Sequence, residues 1–152
     1  MMTLGVWVGS SAYAQNLPLS GIYQMAPSAA CHVRFNDPDA TGRVKIDSTS
    51  KNLNITLELK NPVYGRVSAI DSQYRIGTIV HSHLGMGQSI YINEYSNAGT
   101  RFTSQFRDTF YDESERPFVT TIELERVGPT VNLNFVGDDS NAQTCQLIKE
   151  AL

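Results

Sequence analysis

The 152-residue chain carries 15 acidic and 12 basic residues, a formal net charge of −3, and 41% hydrophobic residues. That length is one domain with room for a real core. A mildly acidic chain with no basic run argues against nucleic acid and anionic membrane surfaces as partners.

The chain opens "MMTLGVWVGSSAYAQ", with a short apolar run at Leu4, Val6, Trp7 and Val8. Ala12-Tyr13-Ala14 then makes a small-residue cleavage site ahead of Gln15. The pattern predicts that residues 1–14 are the back half of a secretory signal peptide that lacks its basic front end, and that 15–152 form a single β domain. A secreted or periplasmic location follows. The apolar run is too short to span a bilayer, which takes about 20 such residues.

Cys31 and Cys145 lie towards the two ends of the mature chain. In an exported protein such a pair predicts a disulfide. In the chain-entropy model a loop of that length is worth about 4–5 kcal/mol, less any strain. Lipidation of Cys31 in "SAAC" is the alternative, but Ser28 stands where that signal needs an aliphatic residue.

Taken in chain order, a short strand is expected near 21–25, then strands near 30–35, 43–48, 53–60, 66–70, 74–82, 89–95, 100–110, 117–127 and 130–136. Alternation is the signal. "LNITLELK" puts Leu53, Ile55, Leu57 and Leu59 on one face, and "TVNLNFVG" does the same with Val131, Leu133 and Phe135. Such period-two runs mark antiparallel strands with one wet face. Turn-forming clusters separate them, among them "NDPDATG", "NPVYG", "DSQ" at 71–73, "GMGQ" and "SNAG". The end, "NAQTCQLIKEAL", reads as a short helix that packs Leu147, Ile148 and Leu152 on the sheet.

The predicted fold is all-β: an antiparallel meander of about 8–10 strands, closed as a lipocalin-like barrel or folded as a two-sheet sandwich, with a short C-terminal helix. "GIY" (Gly21–Tyr23) resembles the opening motif of the lipocalins, whose usual tryptophan is absent. A membrane-spanning barrel is not expected, because most strands are too short and their outer faces carry Glu, Lys, Asn and Arg.

Three groups of residues are candidates for chemistry. In "VHSHLGMGQ", His81 and His83 share a strand face, and Met86 follows. They make a candidate copper or zinc site, although a closed zinc site wants four ligands and His32 is the one other histidine. With Ile76 and Val80 taken as inward, the two histidines point away from the core. Asp37 and Asp39 in "DPDATGRV" match the first half of a calcium loop whose closing glutamate is missing, and an Asp-Pro-Asp hairpin turn explains the same residues with less.

Tyr91 and Tyr95 in one strand, and Phe102, Ser104, Phe106, Asp108 and Phe110 in the next, form the third candidate. Aromatics interleaved with polar residues fit a core, or the lining of a partly wet ligand cavity. The acidic stretches "YDESER" and "GDDSNA" fit solvated loops. No nucleophile, zinc-protease or phosphate-loop motif is present, so catalysis is not expected. The expected role is a non-enzymatic binding domain, for a small apolar ligand in a barrel or an extracytoplasmic protein at a loop end. Metal binding at His81 and His83 is the alternative.

Overall fold

Alternating residues need partners on both sides, and ten strands supply them for one another: β1 (Gly21–Met25), β2 (Thr41–Ser48), β3 (Asn52–Lys60), β4 (Val67–Arg75), β5 (Gly77–His83), β6 (Gly87–Ser96), β7 (Arg101–Asp108), β8 (Val119–Val127), β9 (Thr130–Phe135) and β10 (Gln143–Lys149). The computed structural model describes residues 15–26, 41–60, 67–109, 117–135 and 143–151. Among these, no helix is long and apolar enough to cross a bilayer.

The strands form one antiparallel sheet in the order β4-β3-β2-β1-β10-β9-β8-β7-β6-β5. β1 joins β10, with Tyr23 opposite Lys149 and Met25 opposite Leu147. That pairing curls the sheet into a nearly closed barrel. β4 and β5 are its two edges. They meet at Ile76 in sequence yet do not pair, which leaves a lateral seam.

Most of the core lies on the side of the barrel away from the seam, but Phe102 of β7 is fully buried in it and Tyr74, Ile76 and Tyr95 pack against it. Val44 and Ile46 of β2, Leu53, Ile55 and Leu57 of β3, Ile122 and Leu124 of β8, Val131 and Leu133 of β9, and Cys145 and Leu147 of β10 are buried together. Their sequence neighbours, such as Lys45, Glu58 and Gln146, face solvent, as the alternation requires.

Meander topology gives the barrel two unlike ends. At one, short connections follow β2, β6 and β8, and the chain before β1 folds across the opening. Leu19 is fully buried there. Ser48 and Ser20 bind one another and the Leu17 backbone, and Arg126 Nη1 donates to the Pro18 carbonyl at 2.7 Å. Gly99 lies under this strap: its φ of +82° suits glycine, and an added Cβ would stand 3.1 Å from Pro18. At the other end β1, β3, β7 and β9 finish, each followed in sequence by a longer connection, and the turn 84–86 joins β5 to β6.

Two expectations are corrected. The C-terminal segment is strand β10, and no short C-terminal helix forms. Cys145 and Leu147 are buried while Gln146 and Ile148 are exposed. β9 on one side and β1 on the other supply the backbone partners that override a weak helical pattern. The predicted turn at 71–73 also does not form: β4 runs through it, with Asp71 opposite Thr56 and Gln73 opposite Asn54. Asp71 and Gln73 face outward, where polar side chains cost a strand little. The expected strand near 30–35, residues 1–14, Cys31, Asp37, Asp39 and Phe110 lie outside the described residues.

Candidate ligand-binding site

Gly77 decides which side chains line the seam. Ile76 packs against the core, and its N–H donates to the Lys51 carbonyl at 2.8 Å. Gly77 follows with φ +117°, a conformation that side chains rarely adopt. The turn shifts the alternation by one position. As a result Val80 is 50% exposed on the outside, whereas Ile79 and His81 turn to the cavity side, Ile79 half-buried and His81 exposed at the mouth. The expectation that the histidines face away from the core is therefore overturned. A strand read continuously through residue 76 carries the wrong parity into β5.

Register carries the inward face on from β5. Gly77, Ile79 and His81 stand opposite Asn93, Tyr91 and Ser89 of β6. Those three stand in turn opposite Ser104, Phe106 and Asp108 of β7, with Tyr95 opposite Phe102. All of the described aromatic and polar candidates in β6 and β7 thus share the inner face. Their rings form two groups. Tyr91 contacts His81 at 5.7 Å and Phe106 at 5.0 Å between centroids. Phe102 contacts Tyr74 at 5.4 Å and Tyr95 at 5.5 Å.

Between them is a cavity of about 420 Å³, within the range that holds small-molecule ligands. Its inner wall is formed by Ile79 and His81 of β5, Tyr91 and Asn93 of β6, and Ser104 of β7. Thr121 also reaches it, from a bulge where the β7–β8 register shifts; its hydroxyl donates to the Ser104 carbonyl at 3.0 Å. Across the seam stand Asn52, Gln73, Tyr74 and Arg75. Gln73 and Arg75 belong to the outer face of β4, so the cavity opens sideways between β4 and β5.

Two hydrogen bonds bridge the seam at its closed end. Asn93 Nδ2 donates to the Arg75 carbonyl at 2.9 Å, and Tyr95 Oη donates to the Asn52 carbonyl at 3.1 Å. Burial pushes the Tyr95 hydroxyl up to about 12. Asn93 is 4% exposed, and its Oδ1 accepts no hydrogen bond among the described residues. Asn93 is missing from the candidates read from the sequence, although alternation in "SIYINEY" places it between Tyr91 and Tyr95. Thr121 had no such signal, since a bulge breaks the period that would locate it.

His83 and Ser89 lie towards the end with the longer connections, with Nε2 and Oγ 3.2 Å apart. Met86 sits in the turn beyond, 45% exposed, beside a fully exposed Leu84. Among the described residues no three His, Cys, Asp or Glu side chains come together as a metal-binding group.

The fold has solved counterparts. A structure described as the REP1-NXSQ fatty acid transporter matches with a TM-score of 0.54 at 11% identity, over 88% of this chain and 97% of that one. A Schistosoma mansoni fatty acid binding protein in complex with arachidonic acid matches with a TM-score of 0.52 at 12% identity, over 87% and 96%. A mutant of the fluorescent protein UnaG matches with a TM-score of 0.52 at 10% identity, over 88% and 97%. At such identities the likeness is one of fold. No family model and no curated protein matches the sequence.

Proposed function

We propose that this protein is a non-catalytic carrier of a small, largely apolar molecule, and that it works outside the cytoplasm. The cavity behind the seam carries the reading. Its rings and Ile79 offer apolar contact, while Asn93, Ser104 and Thr121 offer a few fixed polar groups. That mixture suits binding a ligand in one orientation. Two of the solved counterparts are described as handling fatty acids, which supports the apolar part of the reading by analogy of fold.

Export rests on the Ala12-Tyr13-Ala14 cleavage pattern, and with it a Cys31–Cys145 disulfide. Cys145 is 2% exposed on the inner face of β10, so the bond would anchor the β1–β2 connection to the core.

Native mass spectrometry of gently purified protein, followed by solvent extraction, tests the carrier reading. A lipid-sized adduct that leaves on extraction and returns with added lipid is the expected result. An unliganded protein that takes up no apolar probe would end it. Mass analysis of the exported chain tests the rest: it should begin at Gln15, and no cysteine should alkylate before reduction.

A further inference from the structure

Resting on the carrier reading, we infer that the ligand is an amphiphile with an anionic head, held at the lateral seam by Arg75 and His81 with its tail directed into the barrel. The arginines distinguish this site from the rest of the surface. Arg43 and Arg101 are paired with Glu150 and Glu123, at 3.0 and 2.9 Å. Arg107 lies over the Phe118 ring, and Arg126 donates to the Pro18 and Gly128 carbonyls. The Arg75 guanidinium has no partner among the described residues, and it stands at the cavity mouth.

His81 adds an imidazole N–H on the opposite lip, and Gln73 and Asn52 add amides. No described acidic side chain lines the cavity; Asp108 lies on the inner face two strands from His81. An opening rich in donors and free of carboxylates complements a carboxylate, sulfate or phosphate head. The head would stay half in water at the seam, avoiding the cost of burying a charge. The tail would meet Ile79 and Tyr91 within.

The test compares dodecanoate with dodecan-1-ol, equal chains with and without charge, by calorimetry on the full mature protein. Dodecanoate should bind about tenfold more tightly, the scale of one charge-assisted contact. Arg75→Gln should remove that preference, bringing dodecanoate down to the affinity of the alcohol. Arg107→Gln, on the outer face of β7, should keep it. Arg75 is exposed and its backbone contacts do not depend on the side chain, so the variant is expected to fold. Equal binding of the two probes, or a preference that survives Arg75→Gln, overturns the seam assignment but leaves the carrier reading standing. Binding of neither probe overturns both.

Discussion

The barrel has two unlike halves. From β8 through β10 and β1 to β3 the buried side chains are Val, Ile and Leu with one tyrosine, one serine and one cysteine, and Met25 packs against them. From β4 through β7 the inner face is Tyr, His, Ser and Asn with a few large rings, and it borders a cavity. One half is packed by its own side chains, and the other, Phe102 apart, borders open space. A core satisfied by its own atoms leaves no room for a ligand. A wall built of Tyr, Asn and Ser around open space gives up the close apolar packing that a core would keep.

The sharpest way to break this comparison is a pair of truncations. Leu124→Ala, in the packed half, should cost about 2–5 kcal/mol in urea unfolding. Ser104→Ala, at an equally buried position on the cavity wall, should cost about 1 kcal/mol or less. Equal losses would mean that the two halves contribute alike to stability.

Tyr91→Ala should reverse the ranking when binding is measured. It should weaken an apolar fluorescent probe about tenfold, from roughly 1.4 kcal/mol of lost ring contact. Leu124→Ala should leave the folded fraction binding as before.

An alkaline titration sharpens the boundary between the halves. Tyr95 has an ordinary value of 10.0, raised to about 12 in the fold by burial. The folded state therefore holds this proton when the unfolded chain has lost it. Its contribution is complete below pH 10 and disappears as pH rises towards 12, with a slope of at most about 1.4 kcal/mol per pH unit. Tyr23, buried in the other half, is raised as well, by desolvation opposed by Arg126. Tyr95→Phe should flatten the alkaline fall, with the Tyr23 part remaining, as followed by tyrosinate absorbance and thermal melting.

The smallest effect is expected on the outer surface, where the halves do not differ. Arg43 and Glu150 form an exposed ion pair, and the hydrogen bond from Arg43, then that from Gln24, holds the Glu150 carboxyl below its usual range. Arg43→Met should not measurably move the melting temperature, because solvent screens such pairs.

The packed half was the more legible in the sequence, for a physical reason. Leu53, Ile55, Leu57, Val131 and Leu133 alternate without interruption, and hydrophobic alternation is the signal that burial imposes. The cavity half follows the same geometry with residues of mixed character. There the period showed in Tyr91, Tyr95, Phe102 and Phe106 but passed over Asn93. One glycine was enough to invert β5: Gly77 turns Val80 outward and His81 to the cavity side. The C-terminal strand was missed because its partners, β1 and β9, are remote from it or separated by a connection, and a local pattern contains neither.

The pairing of β1 with β10 bears on how the chain reaches this shape. Every other pairing in the sheet joins strands consecutive in sequence. Cut along that line and the seam, the cylinder becomes two continuous leaves, β1–β4 and β5–β10, each able to grow hairpin by hairpin on a microsecond scale. Bringing β1 to β10 instead requires closing nearly the whole chain, and the reward is one five-residue strand. Folding should therefore be limited by the meeting of the leaves rather than by their formation. A covalent tie between Cys31 and Cys145 would favour that meeting by shortening the search.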